Sequence, residues 1–142
     1  MDNEKIKHLQ GVSEKVRVVM ERENIDALVV TQCDNFYYLT GFASFFMYTF
    51  RHTGAAVAVL FRDPNTPSLI IMNEFEAAGV TFDMPNVELK TFPGWVDVDD
   101  PFNPEQSNKR RERPIDPPVK AVFNLLKAAL CDAGVLDKKI AI

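Results

Sequence analysis

A chain that breaks bonds needs nucleophiles, acid–base groups or metal ligands at workable spacing. Here that inventory is thin. His8 and His52 are its two histidines, Cys33 and Cys131 its two cysteines. There is no HExxH, no CxxC and no cluster of His and carboxylates at ligand spacing, so a metal site built from this chain alone is not expected. The stretch GFASF, from Gly41, lacks the second glycine of a nucleophile elbow. Neither GxGxxG nor a phosphate loop occurs, which removes the usual nucleotide cradles. Asp97, Asp99 and Asp100, in WVDVDDPF, lack the glycine and the terminal glutamate of a calcium loop and read as a solvated acidic turn. The basic run KRRER, Lys109 to Arg113, reads as an exposed loop or as an intramolecular partner for that acidic stretch.

One segment stands apart. Phe36, Tyr37, Tyr38, Phe42, Phe45, Phe46, Tyr48 and Phe50 fall within fifteen positions. Core packing accounts for Phe36 and Leu39, but a single turn and a strand end cannot bury eight aromatics. Some are expected to line a pocket or a subunit contact, where aromatic side chains contribute disproportionately. Arg51 follows directly, in YTFRHTG, and is either a surface arginine or a two-pronged clamp for a carboxylate.

The bulk composition sets the frame. At 142 residues, with 46% hydrophobic and 25% charged residues, the sequence has the balance of one globular domain. A net charge of −4 gives no footprint for nucleic acid or an anionic membrane. No apolar run approaches a membrane span, and the charged start MDNEKIKHLQ is not a signal peptide. Two cysteines are too few for a disulfide framework, and both are expected to be reduced and buried. A cytoplasmic setting follows as an expectation.

The elements that must position these residues can be read from periodicity. Residues 3–23 predict an amphipathic helix with Ile6, Leu9, Val12, Val16, Val19 and Met20 inward and Glu4, Lys7, Glu14, Lys15, Arg17 and Glu21 outward. Gly11 either interrupts it or marks a later start, and Asn24 suits its left-handed end. His8 is expected on the solvent side. IDALVVTQ predicts a strand buried on both faces. Asp34 is expected to cap a short helical turn through Phe36 to Leu39, closed by Gly41. GAAVAVLFRD and PSLIIMN predict paired strands joined by the turn DPNTP. Asn73, with Glu76 three residues on, predicts the N-cap of a short helix. VELKTF, residues 87–92, predicts another strand. Residues 97–117 form a long loop, rich in proline. Asp116 and Pro117 announce a helix with Val119, Val122, Phe123, Leu126, Leu130 and Ala133 inward, stopped by Gly134. KKIAI opens a final strand. The fold class is α/β, a mixed central β-sheet flanked by helices on both faces.

These residues carry a resemblance. The leading helix, then NIDALVVTQCDNFYYLTGF, resembles the N-terminal domain of the creatinase/prolidase/aminopeptidase P family, most specifically from Ile25 to Phe42, and KKIAI is similar to its closing strand. The resemblance implies a single domain over residues 1–142 with a ribonuclease H-like motif. It also implies a separate "pita-bread" catalytic domain, whose two Asp, one His and two Glu hold two manganese or cobalt ions. None of those ligands can be carried onto this chain, so it is expected to bind no cofactor and to contain no catalytic residue. The implied parent is a homodimeric Xaa-Pro dipeptidase or aminopeptidase acting on a peptide or small carboxylate substrate, its N-terminal domain partnered by its own catalytic domain. YTFRHTG is also similar to the creatinase subgroup, where an arginine reaches substrate in the neighbouring subunit. Residue by residue, this implies substrate-binding roles for Arg51, Phe50, Tyr48 and His52, although His52 and Thr53 depart from that subgroup's pattern. Two alternatives stand beside it: the N-terminal domain of a creatinase-like amidinohydrolase, or a stand-alone protein-binding scaffold like the family's inactive relatives.

Overall fold

Two strands whose centres are unbroken apolar runs, Val57–Phe61 and Leu69–Met72, must be covered on both faces, and this requirement organises the domain. The computed structural model describes residues 3–50, 54–78, 86–93 and 118–142. In chain order these form α1 (Asn3–Arg22), β1 (Ala27–Val30), α2 (Cys33–Thr40), α3 (Phe45–Phe50), β2 (Val57–Phe61), β3 (Ser68–Asn73), α4 (Glu74–Ala77), β4 (Val87–Phe92), α5 (Pro118–Asp132) and β5 (Ile140–Ala141). The sheet order is β4-β3-β2-β1-β5. β2 runs antiparallel to both neighbours, while β4 is parallel to β3 and β5 to β1. The sheet is therefore mixed, as the sequence predicts. The expected loop 97–117, with the Asp116–Pro117 cap, lies outside the described residues.

Strand alternation splits the core into two layers. Ala58, Leu60, Ile70 and Met72 point toward Leu9, Val12 and Met20 of α1, Phe36 and Leu39 of α2 and Met47 of α3. Val57, Val59, Phe61, Leu69 and Ile71 point the other way, toward Val122, Ala129 and Leu130 of α5. Every residue of β2 and β3 is buried. Each buried Val, Leu, Ile, Phe or Met side chain gains about 1.5–3 kcal/mol from leaving water, and that decides the fate of Gly11. Its penalty of about 1 kcal/mol in a helix interior is outweighed by Leu9, Val12 and Met20, so α1 runs through it without a break.

The helix ends follow local chemistry. Asn24 takes φ 54°, Ile25 N–H donates to the Met20 carbonyl (2.7 Å), and Asn24 N–H donates to that of Glu21 (3.1 Å). Gly134, at φ 65°, closes α5 with the same pair of bonds, Val135 to Leu130 and Gly134 to Cys131. Both stops match the sequence reading.

Several expectations need correction. Val19 is exposed on α1 while Ser13 is buried. Arg17 is partly buried, because its Nε donates to the Phe61 carbonyl (3.0 Å) at the end of β2. That burial pulls its guanidinium below its ordinary range, opposed by the charges of Glu14 and Asp63. α2 begins at Cys33 with Gln32 as its N-cap, so Asp34 lies inside the first turn, where its charge suits the helix's positive end instead of capping it. Val119 and Phe123 are exposed; the inner face of α5 runs through Val122, Ala129 and Leu130. Cys131 is exposed and Cys33 partly so; both are free thiols. The segment after Gly41 contains a helix, α3, that periodicity does not announce.

Two glycines should respond oppositely to alanine. Gly41 sits at φ 69°, and a Cβ there would meet Leu9 Cδ1 at 3.1 Å and Lys5 Cε at 3.2 Å. Gly11 has nothing within 4 Å of such an atom. In urea unfolding, Gly41→Ala should cost about 1–2 kcal/mol and Gly11→Ala should add about 0.5–1 kcal/mol.

Candidate functional site

The aromatic segment is built in two pieces around one turn. α2 buries Phe36, Leu39 and Thr40 against the sheet and leaves Tyr37 and Tyr38 outside, 51% and 56% exposed. It ends in a hydrogen-bonded knot: Thr40 Oγ1 donates to the Phe36 carbonyl (2.7 Å) and accepts from Phe42 N–H (3.1 Å). Gly41, left-handed, donates to the Tyr37 carbonyl (2.7 Å) and turns the chain into α3. There Met47 is buried, while Phe45 and Tyr48, three residues apart on one helix face, are 56% and 48% exposed.

α3 is held by a carboxylate from far along the chain. Ser44 precedes it, buried, and its Oγ accepts from Met47 N–H (3.3 Å) in the manner of an N-cap. Glu76, on α4, accepts from Ser44 Oγ (3.0 Å), from Phe45 N–H and from Phe46 N–H (3.4 Å). The same carboxylate accepts from Asn73 Nδ2 (3.3 Å), and Glu76 N–H donates back to Asn73 Oδ1 (2.8 Å). The predicted Asn73 cap is thus present. Its partner Glu76, however, spends its charge on the orphan N–H groups of a different helix. Rings reinforce the clasp: Phe46 meets Phe75 edge to face at 6.3 Å and Phe45 at 5.7 Å.

At the other end of this surface, Tyr48 of α3 comes near Cys33, the first residue of α2. Desolvation, then the neighbouring Cys33 side chain, then nearby negative charge raise the Tyr48 phenol above its ordinary range. Of the sequence-predicted site residues, Tyr48 is placed at the exposed aromatic face. Phe50 ends α3, but its side chain, with Arg51 and His52, lies outside the described residues. His8 is exposed on α1, as expected. Sequence reasoning missed Glu76 as a partner of α3; Ser44 directly before the aromatic run was the available signal of a helix start.

A second concavity, about 560 Å³, lies beside the end of β1, lined by Leu28, Val30, Thr31, Asn35, Tyr38 and Ile142 among others. β5 pairs with Ala27 and Leu28 alone, so the sheet edge beside Val29 and Val30 opens onto it. Among the described residues no three His, Cys, Asp or Glu converge as a metal site, so their donor set does not fit a metal pair. No helix among them is long and apolar enough to cross a membrane.

A mixed five-stranded sheet with helices on both faces and a resident aromatic surface defines a small α/β domain without a metal cage of its own among the described residues. The chain belongs to the creatinase/prolidase N-terminal domain family, whose description matches residues 13–139. No curated protein sequence matches it. Among solved structures it is similar to the creatinase/prolidase-like N-terminal domain from Corynebacterium diphtheriae (18% identity, 62% of this chain and 61% of that one, TM-score 0.47). It is also similar to an Xaa-Pro aminopeptidase from Streptococcus pyogenes (15%, 95% and 91%, TM-score 0.49). A third is the creatinase/prolidase N-terminal domain of an X-Pro dipeptidase from the same species (11%, 90% and 89%, TM-score 0.45). The match thus spans less than two thirds of the Corynebacterium domain.

The Tyr48 arrangement is open to direct measurement. Its protonated form is favoured in the folded state, so its contribution to stability is present below the pH where a free tyrosine ionises and is lost as pH rises through its own, higher range. Titration of tyrosinate absorbance should show a late-ionising component that Tyr48→Phe removes. An unaltered curve would contradict the placement of Tyr48 near Cys33.

Proposed function

We propose that this chain is the non-catalytic N-terminal domain of a metal-dependent hydrolase, an Xaa-Pro dipeptidase or aminopeptidase, and that it contributes to dimer assembly and to the substrate pocket. Family membership across residues 13–139 carries this reading. In it, bond cleavage and the dinuclear manganese or cobalt centre belong to a separate catalytic domain. That domain would be this one's partner, with a second copy of the whole protein. The exposed Phe45 and Tyr48, followed in sequence by Arg51, suit a surface completed by another subunit. Arg51 would clamp the carboxylate of a peptide or small acid substrate through two parallel N–H donors. Phe50, Tyr48 and His52 would shape the wall beside it.

Two measurements test the reading. The purified chain, given manganese and Xaa-Pro dipeptides, should show no turnover above a buffer control; turnover would overturn its non-catalytic assignment. Joined to a catalytic domain, Arg51→Ala should raise KM or lower kcat by about tenfold or more, the scale of a lost charge-assisted hydrogen bond, with the melting temperature unchanged. Kinetics equal to wild type would remove Arg51 from the pocket. They would favour a protein-binding scaffold.

A further inference from the structure

Glu76 is an unusual residue to bury on a four-residue helix. It is 8% exposed, and no cation pairs with it among the described residues. A carboxylate withdrawn from water without such a partner needs several hydrogen bonds to offset its desolvation. It has them: Ser44 Oγ, the N–H groups of Phe45 and Phe46, and Asn73 Nδ2. Three of these four donors belong to the start of α3, whose buried Ser44 lies 32 positions away in sequence. α4 has its own N-cap in Asn73, so Glu76's carboxylate is spared for another element.

We propose that Glu76 is the positioning residue of the exposed α3 face, holding Phe45 and Tyr48 in place by capping α3 across the fold. The inference rests on the reading above for what the face is used for, but not for the clasp itself. α3 has six residues, too few to be stable alone. Buried Met47 anchors its inner side, while the Phe46–Phe75 contact sets its distance from α4. The Glu76 carboxylate adds the fixed point that sets its axis and rotation. Through that axis Glu76 controls how α3 covers the partly buried Cys33, which packs against the same core cluster as Met47 of α3.

The two cysteines provide the readout, because partly buried Cys33 packs against the core cluster of Met47 and exposed Cys131 lies on α5 as an internal reference. Alkylation of both thiols by iodoacetamide, followed by mass spectrometry, gives the Cys33-to-Cys131 rate ratio. Glu76→Ala should raise that ratio about tenfold, the size of a lost helix cap. Glu76→Gln, which keeps an acceptor oxygen, should raise it less. Val122→Ala, which weakens the core on the opposite face of the sheet, controls for general loss of stability and should leave the ratio near wild type. If Glu76→Ala does not fold, Glu76→Gln and Ser44→Ala report the same ratio. A ratio unmoved by the Glu76 and Ser44 substitutions, or moved equally by Val122→Ala, would overturn the proposal. The assay involves no substrate or second subunit. A positive result beside an Arg51→Ala variant with wild-type kinetics would therefore remove Arg51 from the pocket and leave the clasp standing.

Discussion

Burial on both faces of β2 and β3 is the constraint from which the rest of the domain follows. From Val57 to Phe61 and from Leu69 to Met72 no side chain can face water without exposing apolar surface, so one helical layer cannot suffice. α1, α2 and α3 close one side and α5 the other. The edges are where the constraint relaxes. β4 buries Phe92 but exposes Leu89, and β5 covers only two residues of β1. Polar and aromatic surface collects beyond the central pair, where function can be placed without disturbing the core.

The aromatic surface illustrates how such placement is achieved. α2 is anchored through apolar burial of Phe36 and Leu39, and its length follows from that. α3 is shorter and buries chiefly Met47, so apolar packing cannot fix it with equal certainty. Directional bonds to one carboxylate supply what area does not. Hydrogen bonds to a charged group are stronger than neutral ones, and any hydrogen bond is particular about distance and angle where apolar contact is not. A helix that must present Phe45 and Tyr48 outward in a set orientation benefits more from that particularity than from additional buried surface.

Much of this was legible in the sequence because it is local. β2 and β3 are centred on unbroken apolar runs, Asn24 and Gly134 end helices by backbone conformation, and Asn73 caps α4 three residues from its partner. α5 was harder to phase. PVKAVFNLLKAALCD is apolar on most of its circumference, so a stripe through Val119 and Phe123 and one through Val122 and Ala129 fit the sequence about equally; tertiary packing selects the second. α3 was unreadable for another reason. It is six residues long with aromatics at four of them, so no apolar stripe stands out against a polar face, and the group that satisfies its first turn comes from Glu76, which local pattern assigns wholly to α4. Arg17 is a similar case. Charge pattern puts it in solvent, yet the Phe61 carbonyl draws it partly inward.

The same distinction separates what the domain contributes from what it leaves to others. Reaction chemistry of the metal-assisted kind needs several anionic or imidazole ligands converging within a few ångströms. Among the described residues the one deeply buried carboxylate is already committed to four donors around α3 and α4. Its lone pairs are spent on architecture. Among the groups that α2 and α3 leave facing outward are the rings of Tyr37, Tyr38, Phe45 and Tyr48, suited to enclosing a ligand or meeting another protein surface. A domain that invests its buried charge in orienting an aromatic face presents those rings in a fixed arrangement, and in the function proposed above that face completes a cavity whose bond-breaking groups a separate domain supplies.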